Sequence, residues 1–316
     1  MTARVATLTR PKSAADYKAT TRHREIGYGL AALGLVLAIV ALIANISAAN
    51  SADGATAAET LAWSFGVTTT AFGTIKLGIG IVLVGILVRL WVRVESVKVG
   101  LTSLKPAGSG QIQRGEIKTA FGRATASSSV PKPLPIHKMA RTMWAPMLAM
   151  GYMALIAGLV ASFVWSANVG TSTGFDAQAW TAGLQFLGEG FLLAGISFLL
   201  GSILASLREG GGQVQEALGI TVKTLKMPTT AKVFVALMMA GVMLAVAQFV
   251  LYLVVAYGEG GARSLQSFQA WLAWLGPLRE VSLGLLLAGI VMALVTIGNV
   301  LGFQFDRIKE IVKTGN

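Results

Sequence analysis

Two charged residues interrupt apolar stretches of this sequence, and they are its strongest candidates for chemistry. Lys76 and Glu189 each lie within a run of apolar residues that is long enough to cross a bilayer. Because removing a charge from water is expensive, charged residues in such runs pair with one another or line a functional pathway. The internal repeats described below place both residues at nearly the same depth. We therefore expect a Lys76–Glu189 ion pair, either as a clamp between helices or as part of an ion or proton pathway.

Two further charges, Arg279 and Glu280, precede the last apolar stretch and are expected at the outer membrane boundary. A pathway entering there would need polar side chains that continue inward. Few polar residues occupy the inner half of the apolar runs, namely Ser197, Ser202, Gln248, Thr296 and Asn299. The interhelical clamp is therefore the favoured interpretation.

Histidine would supply the ligands of a membrane haem or a catalytic metal. The two histidines, His23 and His137, each lie just before an apolar run, among lysines and arginines. Neither lies at mid-membrane depth, and no cluster of histidine and carboxylate has metal-ligand spacing. The sequence has no cysteine, so thiolate ligands and cysteine nucleophiles are excluded. We expect no haem, no metal, no other cofactor and no catalytic residue.

Methionine is the remaining candidate ligand, because thioethers bind Cu(I). Five methionines recur at spacings of three and four in the third apolar run, and three more lie in the fifth: Met139, Met143, Met147, Met150 and Met153, then Met238, Met239 and Met243. Flexible methionines also fill irregular seams between helices. We expect packing rather than copper binding.

The composition indicates an integral membrane protein, so the residues discussed above lie in or beside membrane-spanning segments. Of 316 residues, 54% are hydrophobic and 13% are charged, whereas soluble domains carry about 25% charged residues. The mean hydropathy is +0.68. These values exclude a soluble enzyme and a nucleic-acid-binding domain, although the net charge is +12.

Six stretches are long enough for spanning helices, which need about 20 apolar residues. We predict spans at 26–46, 65–88, 143–165, 185–207, 233–258 and 281–303. The two terminal segments and the loops on the same side as them together hold 23 of the 26 lysines and arginines. By the positive-inside rule both termini are cytoplasmic. We expect a multi-pass protein of the plasma (inner) membrane, in contact with a bilayer that includes anionic lipids.

The even-numbered spans resemble one another, which predicts three consecutive hairpins. Gly80, Gly195 and Gly289 occupy matching places in the second, fourth and sixth spans. The odd spans also correspond, through Gly151 and Gly241. All three hairpins would have the same orientation, as parallel repeats about an axis along the membrane normal.

A short amphipathic segment follows each even span: Val94–Lys105, Val214–Lys226 and Phe305–Lys313. Each is predicted to be a helix in the cytoplasmic headgroup zone. The predicted fold is thus an all-α integral membrane protein of six transmembrane helices, arranged as three hairpins with three interfacial helices. The predicted divisions are a basic segment at 1–25, the first hairpin at 26–106, a flexible linker at 107–135, the second hairpin at 136–228 and the third at 229–316.

Small residues on the even spans favour close helix packing, because lipid offers no hydrophobic driving force for association. The candidate packing residues are Gly80, Gly195, Gly289 and the G-x-x-x-G pair Gly298 and Gly302. We expect the even spans to lie centrally or against a partner.

The first functional hypothesis is a non-catalytic accessory or scaffold subunit that packs into a larger membrane complex, or associates with itself, and that binds no nucleic acid. The alternative is a transporter or channel for a small solute or ion, which would use the Lys76–Glu189 pair. A third possibility is an enzyme component that binds a quinone, a lipid or a metal.

Overall fold

The computed structural model describes residues 14–102, 115–130, 132–257 and 265–314. These ranges form six helices and three short strands. The helices are α1 (Ala14–Ala49), α2 (Gly54–Thr102), α3 (Pro135–Ala167), α4 (Ser172–Ala217), α5 (Thr229–Tyr257) and α6 (Leu265–Thr314). The strands are β1 (Gly115–Thr119), β2 (Gly122–Ser127) and β3 (Val222–Leu225).

All six helices are long and apolar enough to cross a membrane. A helix suits an apolar solvent because it satisfies its backbone hydrogen bonds internally. Helices α2, α4 and α6 have 49, 46 and 50 residues, so each is about 70 Å long at 1.5 Å per residue. The hydrocarbon core of a bilayer is only about 30 Å thick, so these three helices extend well beyond their apolar runs.

The even helices continue through the segments in which we predicted separate interfacial helices. Helix α2 includes residues 94–102 without a break, and residues 103–105 lie outside the described chain. Helix α6 likewise includes Phe305–Lys313. Neither described segment contains a proline that would end the helix, so the amphipathic pattern continues the spanning helix.

The remaining segment, Val214–Lys226, is not a helix over its whole length, which corrects the prediction. Helix α4 ends at Ala217, and Gly219 then adopts a φ of +68° that few other residues tolerate. The β-branched residues that follow suit an extended strand. Residues 222–225 accordingly form β3.

An ordered sheet lies where we predicted a flexible linker at 107–135. Strands β1 and β2 form an antiparallel hairpin, and β2 pairs antiparallel with β3 in the order β1-β2-β3. Residues 103–114 and 131 lie outside the described chain. The long-range pairing of β2 with β3 leaves no local signal in the sequence. We call this end of the molecule the sheet end, and we call the opposite end, where α3 turns into α4, the loop end.

The helices pack as sequential pairs around α4. Helix α1 packs on α2, α3 on α4, and α5 on α6. Helix α4 additionally contacts α2 and α6, so all three pairs meet at it. The apolar window of α4 is 78% buried, against 17% for α1. Of the even helices predicted to be central, α4 takes the central place.

Candidate functional site

Glu189 lies on the central helix α4, between two glycines that let neighbouring helices approach. A Cβ atom on Gly188 would lie 2.7 Å from the Gly151 carbonyl oxygen on α3. On Gly190 it would lie 2.8 Å from the Cβ of Ala245 on α5. With α3 and α5 this close, the carboxylate of Glu189 meets the two remaining neighbours, α2 and α6.

Two cations bind this carboxylate, one from each of those helices. The Lys76 Nζ atom of α2 lies 3.0 Å from Glu189 Oε1. The Arg279 guanidinium of α6 donates a hydrogen bond of 3.0 Å to Glu189 Oε2. The Glu189 side chain is 5% exposed, while those of Lys76 and Arg279 are 23% and 22% exposed. We call these three residues the charge triad.

The charge of the Glu189 carboxylate is compensated by the two cations of the triad. Each carboxylate oxygen has its own cationic partner, which offsets the cost of burying the charge. Two cations and one anion leave one net positive charge, carried by side chains that are partly exposed. The long stems of lysine and arginine allow such residues to keep their charged ends near polar surroundings.

A second polar contact between α4 and α2 lies one helical turn before Glu189. Gln185 is 1% exposed, and its Nε2 donates a 3.1 Å hydrogen bond to the Gly66 carbonyl oxygen. Its Oε1 atom is buried without a hydrogen-bond partner. Near Lys76 on α2, the Thr74 and Tyr152 hydroxyls lie 3.5 Å apart. Buried polar groups therefore accompany the triad on two sides.

This arrangement is chemically suited to holding helices together. Both oxygens of the only carboxylate in the triad are in contact with cations. The triad joins α2, α4 and α6, which belong to three different helix pairs. It therefore links the first and third pairs through the second.

Of the four charged residues singled out from the sequence, three are in contact and one is exposed. Lys76 and Glu189 are in contact, and Arg279 joins them, although we predicted Arg279 at the outer boundary with Glu280. Glu280 is exposed. Consecutive residues of a helix point about 100° apart, so only one of the two can face α4. A helical projection of α6 would have separated them, but it would not have identified Glu189 as the partner.

The predicted packing glycines mostly lie against neighbours. A Cβ on Gly80 or on Gly195 would meet Leu148 of α3, and one on Gly289 would meet Met238 of α5 at 3.5 Å. The two residues of the G-x-x-x-G pair have different surroundings. Gly302 lies under the Phe121 ring of the β1–β2 turn, and a Cβ on Gly298 would meet no atom within 4 Å.

The histidines and methionines are dispersed. His23 lies on α1, and His137 lies at the start of α3. Within the described ranges, no group of three His, Asp or Glu side chains is arranged to hold a metal ion. The α3 methionines divide: Met139, Met143 and Met147 pack against the core, while Met150 and Met153 are exposed. On α5, Met238 is buried, and Met239 and Met243 are exposed.

A second network, which the sequence did not predict, fixes the sheet to the helices. Arg307 of α6 is 6% exposed, and it donates hydrogen bonds of 3.2 Å to Gln215 Oε1 and to the Thr221 carbonyl oxygen. Gln215 Oε1 also accepts a 2.9 Å bond from the Lys223 amide of β3. Glu310 pairs with both Arg307 and Lys223. An arginine among other charged residues near the end of the chain offered no sequence signal for burial.

Comparisons with known proteins do not extend this description. No protein-family model matches the chain. Neither the curated proteins nor the solved structures gave a significant match.

Proposed function

We propose that the chain is a non-catalytic accessory or scaffold subunit that packs into a larger membrane protein assembly. The observation that carries this proposal is a contrast between glycines. Those described on α4 are covered by neighbouring helices or loops, whereas Gly276, Gly284 and Gly298 of α6 would carry a Cβ with no atom within 4 Å. Small residues on a spanning helix favour close approach by another helix.

The open face of α6 is continuous. Gly284 and Gly298 are exposed, and between them Leu287, Val291 and Leu294 are 51–53% exposed. These positions recur at spacings of three, four and seven residues, so they share one side of the helix. The glycines at its two ends make this side flat enough to receive a partner helix at short distance.

The charge triad supports a rigid scaffold. It connects the three helix pairs through Glu189, so buried ion pairs hold the pairs in one arrangement. A transporter that alternates between two states would have to break and remake this buried contact. The clamp interpretation also agrees with the small number of polar residues that the sequence places in the inner half of the apolar runs.

We infer further that the three pairs are tandem repeats of one hairpin. In each pair a glycine of the odd helix meets a large residue of the even helix. The pairs are Gly34 with Ile75, Gly151 with Leu192, and Gly241 with Leu286. Gly151 and Gly241 are the residues aligned from sequence, and Leu192 and Leu286 have the same separation along the chain as Gly195 and Gly289. Ile75 lies two positions away from the residue that this alignment would match with Leu192, so the second and third pairs are the contacts that support the repeat.

The proposed setting is the plasma membrane, with both termini and the sheet on the cytoplasmic side. The support is the distribution of charge, since lysines and arginines concentrate in the loops of the sheet end. Partners are proposed to be other membrane subunits or further copies of the chain.

The mass of the protein in gently solubilised membranes tests the proposal. We expect the full chain to be recovered in an assembly heavier than its own 33.0 kDa. A double variant, Gly284→Leu with Gly298→Leu, should release it as a monomer, because leucine would hold the partner helix away. Gly29→Leu is the matched control: a Cβ on Gly29 would also meet no atom within 4 Å, and its helix α1 packs on α2 rather than on α6.

A folded wild-type chain recovered only as a monomer would contradict the scaffold proposal. A mass that is a multiple of 33.0 kDa would identify self-association, and any other mass would identify partner subunits.

One observation favours the alternative, a small-solute or ion transporter. A cavity at the sheet end reaches Ser197 on α4, eight residues or about 12 Å along the helix from Glu189. Flux through liposomes that contain the purified protein tests this alternative. Flux by the wild type, lost in a folded Lys76→Met variant, would establish transport, and absence of flux for the solutes tested would favour the scaffold.

A further inference from the structure

A cleft at the sheet end lies between α3 and α5, with α4 and part of α6 as its floor. Its volume is about 80 Å³. One water molecule needs roughly 10–15 Å³ on this measure, so the cleft can hold a much larger group. Helices α3 and α5 both pack on α4, but they are not among the helix pairs that pack on each other. The cleft therefore separates two helices that would face the bilayer.

The walls of the cleft are apolar over a length that matches one membrane leaflet. Phe198, Phe234, Met238 and Val300 line it, and all four are buried. On α4 the lining runs from Ser197 to Arg208, about 16 Å at 1.5 Å per residue. Half of a hydrocarbon core about 30 Å thick is about 15 Å. The cleft is thus as long as an acyl chain that reaches the middle of a bilayer.

The polar end of the cleft is cationic. Its cations are Arg208 and Lys226, which lie beside His137, and none of the described lining residues is Asp or Glu. Burial and the nearby Arg208 lower the pKa of His137, so this residue offers a neutral imidazole. Lys226 is paired with Glu116 of β1. Glu209, the acid next to Arg208 in sequence, accepts a 2.7 Å hydrogen bond from Arg141 at Oε2, while its Oε1 atom is buried without a hydrogen-bond partner. The Nε atom of Arg208 is buried without a hydrogen-bond partner.

We propose that this cleft binds one anionic glycerophospholipid, with an acyl chain along α4 and the phosphate at Arg208 and His137. A guanidinium binds phosphate oxygens in a bidentate manner, and a buried unpaired N–H gains a bond when such an anion arrives. The apolar walls replace the hydrocarbon that the acyl chain leaves. The inference requires that the helices span a bilayer, and it does not depend on the scaffold role.

Native mass spectrometry of the delipidated full-length protein in detergent tests the inference. The probes are dioleoylphosphatidylglycerol, dioleoylphosphatidylcholine and inorganic phosphate. We expect one retained phosphatidylglycerol, bound about tenfold more tightly than phosphatidylcholine. Both lipids carry the phosphate, but the choline ammonium of phosphatidylcholine would lie near the cations Arg208 and Lys226, whereas the glycerol headgroup is uncharged. Inorganic phosphate should not displace it, since phosphate gains nothing from the apolar walls.

Two variants locate the site, and a third serves as their control. Arg208→Gln should weaken phosphatidylglycerol binding about tenfold, because it removes the guanidinium that binds the phosphate. Arg93→Gln, the matched control, removes an exposed cation of α2 at the same end and should change nothing. Gly201→Leu should exclude the lipid, because a Cβ there lies 3.3 Å from Ala140 and 3.9 Å from Phe234, both in the cleft wall.

Equal retention of the two lipids, displacement by phosphate, or equal behaviour of Arg208→Gln and Arg93→Gln would overturn the proposal. So would retention of phosphatidylglycerol by Gly201→Leu, if that variant elutes as a single folded species. If it does not fold, the two arginine variants decide alone.

Discussion

Replacing Glu189 by leucine removes the anion of the charge triad and leaves its two cations facing an apolar side chain. In the wild type the carboxylate is 5% exposed and lies 3.0 Å from both Lys76 and Arg279. Loss of one partner from a buried ion pair costs about 3–5 kcal/mol, because the remaining charge is buried without compensation. Both cations are about one-fifth exposed and can shift toward polar surroundings. We therefore expect a loss near the lower limit, about 3 kcal/mol.

Substitution of either partner of Glu189 should destabilise the protein less than substitution of Glu189 itself. Lys76→Met and Arg279→Gln each leave the carboxylate with one cation at 3.0 Å, so each should cost about 1–3 kcal/mol. Adding Lys76→Met to Glu189→Leu should recover part of the stability, because it removes one of the two uncompensated charges. Glu280→Gln is the control: this neighbouring carboxylate is exposed, and the change should stay within about 0.5 kcal/mol.

Unfolding of the purified protein in mixed micelles, followed by circular dichroism and tryptophan fluorescence, measures these differences. A loss of about 3 kcal/mol corresponds to roughly a hundredfold change in the unfolding equilibrium. If Glu189→Leu is no less stable than Glu280→Gln, the triad is not a clamp and the reasoning fails. A double variant less stable than both single variants would also contradict the account, because the charges would then act independently of one another.

Three other predictions concern the sheet and the helix seams. Arg307→Ala should raise the rate of amide hydrogen exchange in β3 by about tenfold or more, because it removes a buried cation with several hydrogen bonds. An unchanged exchange rate would show that this network does not hold the sheet. Lys226 lowers the pKa of Glu116 below its ordinary 4.5. The pair therefore stabilises the sheet above that pH, and this stabilisation is lost as the pH falls through the lowered pKa. Hydrogen exchange of the β1 amides, measured against pH, should show this loss, and Glu116→Gln should remove the pH dependence. Gly151→Ala should destabilise the protein by about 1–3 kcal/mol, since its Cβ would lie 2.8 Å from a backbone nitrogen of α4, whereas Gly284→Ala should be neutral or stabilising in micelle unfolding.

The helices were predictable because their signal is local. Each apolar run exceeds the length needed to span a bilayer, and each corresponds to one helix of the structure. The ends were less predictable. Residues 94–102 and Phe305–Lys313 have an amphipathic pattern, but without a helix breaker they continue α2 and α6. The strand at 222–225 depends on pairing with β2, about a hundred residues earlier, and such pairing has no local signature.

The ion pair of Lys76 and Glu189 could be anticipated from the repeat, whereas the role of Arg279 could not. Two charges of opposite sign at similar depth in apolar runs have a strong energetic reason to meet. Arg279 was assigned to the outer boundary because it precedes the predicted sixth span. Its contact with Glu189 depends on the rotation and height of α6 against α4, which only the packed helices define.

Composition and the spacing of charges by themselves determined that this chain forms long apolar helices, because backbone hydrogen bonding and transfer from water act on each segment separately. Tertiary structure decided which helix lies at the centre, which cation completes the triad, and where a cleft with a cationic end opens. Those properties arise from contacts between residues far apart in the chain. Such contacts depend on the shapes of several packed surfaces at once, and no single segment of the sequence carries that information.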